Sequence, residues 1–231
     1  MASITIPATD GTGTFSVYLA EPKTTPAGVV VLIQEIFGVN QAMRDTAAWV
    51  ADMGFIAVCP DLFWRIEPGI DITDKTDAEW KRAFELFQAF DQTAGIADLK
   101  ATVAAARMLP GATGKVGTMG YCLGGRLAFM MAEQSDADIN VSYYGVGLDG
   151  LLGDLSKVTK PLLVHIADRD EFFPAEGRAK VAVAVKGHAQ IACYNYDANH
   201  AFARVNGIHW DGRSATIANG RSAEALAKAL S

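Results

Sequence analysis

Lys115-Val116-Gly117-Thr118-Met119-Gly120-Tyr121-Cys122-Leu123-Gly124-Gly125-Arg126 decides how the rest of the chain is read. A short β-type run ends at Gly120, a cysteine follows two residues later, and two glycines open the apolar helical stretch Leu127-Ala128-Phe129-Met130-Met131-Ala132. Locally this is strand, tight turn and helix, with Cys122 at the apex. Gly120-x-Cys122-x-Gly124 has the spacing of a nucleophile elbow, with sulfur where a serine hydroxyl often stands. Glycines at those two places suit a crowded turn in which side chains would strike neighbouring backbone. Such a turn exposes the sulfur and aims the N–H groups of the helix start toward it, which favours a thiolate and can hold an oxyanion. A buried structural cysteine beside a glycine turn would match the same short pattern. The flanking chain has to decide.

Upstream, Val29-Val30-Val31-Leu32-Ile33 is a continuous apolar run, suited to a strand covered on both faces. Phe15–Ala20 alternates as an early antiparallel strand, and Phe55–Cys59 reads as a strand halted by Pro60. Helices are expected at about 41–53, 78–90 and 96–108. Between residues 62 and 95 the texture changes: Pro68, Gly69 and the acidic run from Asp71 to Asp77 precede a helix carrying Trp80, Phe84, Phe87 and Phe90. That stretch fits a small lid over a site, and equally a helix that packs its aromatic stripe on the core. Downstream, strands are expected at 139–144, 162–166 and 190–194, with helices at about 176–186 and 213–230. Alternating strands and helices imply an α/β fold with a mostly parallel sheet flanked by helices. No repeat or linker divides the chain, so one domain over residues 1–231 is expected.

The 231 residues are half hydrophobic and carry a formal net charge of −6. No basic run interleaved with aromatics points to nucleic acid, and no apolar stretch reaches membrane-spanning length. The start of the chain shows no secretion signal. The three cysteines, Cys59, Cys122 and Cys193, are far apart and form no C-x-x-C pair, against both a disulfide framework and a zinc cluster. A cytoplasmic monomer without metal or cofactor is the expectation.

In an open parallel sheet, ligands gather beyond the carboxyl ends of the strands. Glu35, Cys122, Asp170 and His200 all follow expected strands. Cysteine, aspartate, histidine is the triad order on this kind of sheet. Cys122 would attack an ester carbonyl, His200 would take and return protons, and Asp170 would fix the imidazole. The N–H groups of Leu123 and Ile36 would form the oxyanion hole. Asp168 competes with Asp170 on spacing alone. His165, inside an apolar strand, reads as a satisfied core residue, while His188 and His209 sit in polar loops. Glu35 could cap a helix or control the thiol proton.

With these residues in place, the chain resembles the dienelactone hydrolase (carboxymethylenebutenolidase) family of the α/β-hydrolase superfamily. The stretches that carry the resemblance are Gln34-Glu35-Ile36-Phe37-Gly38-Val39-Asn40, Val58-Cys59-Pro60-Asp61-Leu62, Gln88-Ala89-Phe90-Asp91, the Cys122 elbow, Tyr143-Tyr144-Gly145-Val146-Gly147, Asp170-Glu171-Phe172-Phe173-Pro174 and Asn199-His200-Ala201-Phe202-Ala203-Arg204. The resemblance implies cofactor-free opening of an unsaturated, carboxylated lactone, with Asp170 as the triad carboxylate. It implies that Glu35, helped by Arg204, takes part in activating Cys122: the thiol rests neutral until substrate rearranges Glu35. Phe37 and Tyr143, in two of the matching stretches, are expected in the substrate pocket with Arg204. Family members are expected to grip the substrate carboxylate with two arginines. Arg204 matches one, but ungapped alignment from Gln88-Ala89-Phe90-Asp91 puts Trp80 at the other. Lys81 and Arg82 cannot replace it without a register shift, because one or two helical residues turn a side chain by about 100° or 200°. A broader carboxylesterase or thioesterase with the same triad is the second reading, and a non-catalytic thiol sensor or binding protein the third.

Overall fold

The computed structural model describes residues 2–231, and the apolar run near residue 30 lies at its centre. That run is β3 (Ala27–Ile33), buried along its whole length. Val30 and Leu32 point into one core layer, whereas Val29, Val31 and Ile33 point into the other. A strand covered on both faces needs no polar alternation, and each fully buried Val, Leu or Ile contributes about 1.5–3 kcal/mol.

Around β3 assembles one eight-stranded sheet in the order β1-β2-β4-β3-β5-β6-β7-β8. Its members are β1 (Ala2–Pro7), β2 (Thr14–Ala20), β4 (Ile56–Pro60), β5 (Ala112–Tyr121), β6 (Ile139–Tyr143), β7 (Leu162–Ala167) and β8 (Ile191–Tyr196). The pairs β1–β2 and β2–β4 are antiparallel; every other neighbouring pair is parallel. β1 is additional to the strands read from sequence, although Ile4 and Ile6 carry the period-two signal of one.

Helices α1 (Gln41–Asp52) and α6 (Gly212–Leu230) cover one face of the sheet. On the other lie α2 (Asp77–Ala89), α3 (Gln92–Arg107), α4 (Leu123–Gln134) and α5 (Ala175–Val185). The starts of α1, α2, α3 and α6 are written in polar caps. Asn40 accepts from Met43 N–H and Asp91 from Thr93 and Ala94 N–H. At α2 the Thr76 hydroxyl accepts from Glu79 N–H and donates to the Glu79 carboxylate, which also accepts from Thr73.

The irregular stretch after β4 is tied down rather than free. Asp61 accepts from the N–H groups of Phe63 and Gly69, and buried Asp98 of α3 receives the Trp64 indole and the Arg65 guanidinium. α2 then divides its aromatics. Ala83 and Leu86 face the core, Phe90 meets Phe63 edge-on, and Phe84 and Phe87 remain about two-fifths exposed. The helix serves as core element and cavity wall at once.

Candidate active site

The sequence-expected residues Glu35, Cys122, Asp170 and His200 all stand at the carboxyl end of the sheet, after β3, β5, β7 and β8. Cys122 sits between β5 and α4 with φ 55° and ψ −113°, left-handed backbone that costs a non-glycine residue about 1–3 kcal/mol. Its N–H donates to the Tyr143 carbonyl and its own carbonyl accepts from Arg126 N–H, which pins the turn on both sides. A Cβ on Gly120 would run into the Gly124 carbonyl, and one on Gly124 into the carbonyl of Ile33. Both glycines are therefore required by space. Leu123 opens α4, where its N–H has no helical acceptor, and Ile36 lines the cavity beside Cys122.

His200 Nδ1 donates to Asp170 Oδ2 at 2.7 Å, with both side chains buried. Asp170 Oδ1 accepts from Phe172 N–H, so the carboxylate is itself oriented. Asp168 instead accepts from Asn195 at the surface. Tyr144 and Phe172 hold the imidazole edge-on, at 5.2 and 5.0 Å between ring centres. Nε2, buried, has no hydrogen-bond partner among the described residues. Burial opposes charge on this ring, but the neighbouring Cys122 sulfur and the Asp170 carboxylate outweigh it and push the imidazole up to about 10.

Glu35 is paired rather than free. Arg204 donates to it through Nε (2.5 Å) and Nη2 (3.1 Å), and through Nη1 to buried Asp74 (2.5 Å). The guanidinium also lies over the Phe37 ring at 4.8 Å. Burial works against its charge, yet Glu35 and then Asp74 hold it above its usual value. Asp74 was not singled out from sequence; it lay within an acidic run and its partner is 130 residues away.

Tyr143 corrects a sequence expectation. It is wholly buried on the α6 face, with its hydroxyl bonded to Asn219 and Ser222, and it does not line the cavity. Tyr144, just past the end of β6 with φ 36°, shares the same core layer, and it is Tyr144 that meets His200. The Tyr144 hydroxyl is buried without a partner among the described residues; burial, and next the Glu35 carboxylate, push it well above the ordinary phenol value.

The cavity, about 170 Å³, brings Cys122, His200 and Arg204 together under an aromatic wall of Phe37, Trp80, Phe84, Phe87 and Phe172. Trp80 meets Phe37 edge-on and stacks with Phe84 and Phe172. The other histidines lie elsewhere in the network: His165 bonds Tyr196 and Ser222, His188 bonds the Leu155 carbonyl, and His209 contacts the His200 carbonyl. Burial also pushes up the thiols of Cys59 and of Cys193, the latter to about 11. Among the described residues no three His, Cys, Asp or Glu side chains are gathered to hold a metal ion, and no helix is long and apolar enough to cross a membrane.

A solved Klebsiella pneumoniae structure, provisionally named a dienelactone hydrolase, superposes with a TM-score of 0.86 over 98% of each chain; at 23% identity this is a likeness of fold. The sheet order and the strained turn after β5 accordingly define an α/β-hydrolase fold. More closely, the chain belongs to the dienelactone hydrolase family, whose sequence profile matches residues 15–230. The carboxymethylenebutenolidase of Pseudomonas putida is 40% identical over 225 residues, spanning 97% of this chain and 95% of its own. An Azospirillum brasilense protein, provisionally named a carboxymethylenebutenolidase, is 52% identical over 231 residues, 96% of each chain. The activity class is carboxylic-ester hydrolysis.

Proposed function

We propose that this protein opens an unsaturated, dienelactone-type lactone with a Cys122–His200–Asp170 triad, through a thioester. The supporting observation is the state of His200: one nitrogen is clamped by Asp170, and the other, buried and unpartnered, shares a cavity with Cys122. The Cys122 sulfur attacks the lactone carbonyl, whose oxygen takes the developing charge toward the N–H groups of Ile36 and Leu123. Collapse breaks the ring C–O bond, and His200 delivers a proton to the departing oxygen. Water, deprotonated by His200, then attacks the thioester and releases the acid and the thiol. On this reading Glu35 takes the thiol proton once its pairing with Arg204 opens and returns it to the departing thiolate, while His200 delivers the proton it already holds.

A carboxylate on the lactone would have to displace Glu35 from Arg204. Turnover of uncharged esters by the same three residues is the second reading, favoured by a guanidinium already matched by two carboxylates.

Cys122→Ala should lower kcat by about 10,000-fold or more while thermal unfolding changes little. Mass spectrometry of quenched wild-type turnover should show an acyl adduct on Cys122. Wild-type turnover by the variant would refute the nucleophile.

A further inference from the structure

Asp74 is a buried junction between the two chemical sides of the cavity. Its Oδ2 accepts from Arg204 Nη1 at 2.5 Å and from Ile208 N–H at 3.2 Å. Its backbone carbonyl accepts from the Trp80 indole at 2.9 Å. Trp80 in turn is the middle of a stack, 5.6 Å from Phe84 and 6.4 Å from Phe172. One aspartate thus fixes both the nearest cation and the aromatic wall.

Apart from His200, Arg204 is the one charged side chain lining this cavity among the described residues. Its Nε and Nη2 are taken by Glu35 and its Nη1 by Asp74. An entering carboxylate must compete with Glu35 for Nε and Nη2, and would still share with Asp74 a single positive charge. A flat, uncharged group meets no such opposition and finds aromatic faces to lie on.

We propose that Asp74 is a positioning residue that sets the charge selectivity of the cavity. By neutralising Arg204 and anchoring Trp80, it commits the site to flat, uncharged, conjugated esters or lactones over carboxylated ones. The turnover part of this proposal rests on the triad reading above; the binding part does not.

The test uses a matched pair, an unsaturated five-membered lactone bearing a carboxylate and the same lactone bearing a primary carboxamide. Calorimetry on the Cys122→Ala variant reads binding without chemistry. The carboxamide should bind at least about tenfold more tightly, equivalent to about 1.4 kcal/mol, and Asp74→Asn in that background should shrink the ratio by a similar factor. Tighter binding of the carboxylate to the parent, or an unchanged ratio in folded Asp74→Asn protein, would overturn the proposal. Should Asp74→Asn not fold by circular dichroism, the parent's ratio decides alone. In the otherwise wild-type enzyme, Asp74→Asn should lower KM for the carboxylated lactone with kcat little changed; a kcat effect on both lactones alike would mark a merely structural role. Failure of the intact enzyme to open either lactone would count against the triad reading and leave the binding ratio to judge Asp74.

Discussion

Two histidines are buried at neighbouring places in the sheet and behave in opposite ways. His165, inside β7, has both ring nitrogens bonded, to Tyr196 and Ser222. Burial, then the nearby Arg221 charge, push it down to about 3. His200, beyond the end of β8, is bonded on one nitrogen alone and pushed up to about 10, because Cys122 and Asp170 outweigh its burial. Desolvation acts in the same direction on both. What separates them is the partner: hydroxyls that accept or donate indifferently leave a neutral ring, whereas an anion retains a proton.

Substituting each ring by glutamine should break the likeness most sharply. His200→Gln is expected to lower kcat/KM on the order of 10,000-fold with the fold intact. His165→Gln should instead cost about 1–3 kcal/mol of stability through a disturbed buried network, with turnover near wild type. Steady-state kinetics and urea denaturation on both variants separate the two outcomes.

The next effect is one of pH. His165 takes up its proton more readily unfolded, near 6.5, than folded, near 3. Its neutral form therefore favours the native state above about 6.5, and that contribution is lost as pH falls toward 3. His200 has the reverse sign: its contribution is full below about 6.5 and declines as pH rises through about 10. Denaturation midpoints across pH should lose their acid-side slope in His165→Gln and their alkaline-side slope in His200→Gln. Unchanged slopes in either variant would contradict the assigned environments.

The smallest effect concerns the wall beside His200. Trp80→Arg should lower KM for a carboxylated lactone about tenfold relative to a neutral ester, the lower range for one charge-assisted hydrogen bond. Because His165 belongs to the opposite face of the sheet, the acid-side slope should survive this change. No selective shift in KM would remove Trp80 from the anion-binding position.

The parts of the molecule legible in sequence are those whose signal is local. The run at 29–33 announces a doubly covered strand, and glycines around Cys122 announce a turn without room for side chains. Asp170 and His200 stand out through chain order and their places after strands. Asp74 was hidden because its importance lies in a partner 130 residues away, and an acidic run looks the same whether solvated or buried. Tyr143 was expected in the pocket for a different reason: the chain leaves β6 there and turns through Tyr144 at positive φ, and composition carries no trace of that turn. The aromatic stripe of α2 could be read as core or as site wall, and it proves to be divided between the two.

Cys122 occupies a joint where glycine would rest more easily. Heat resistance and chemistry thus draw on the same dihedral angle in opposite senses. On the triad reading, a Cys122→Gly protein would be sturdier and inert.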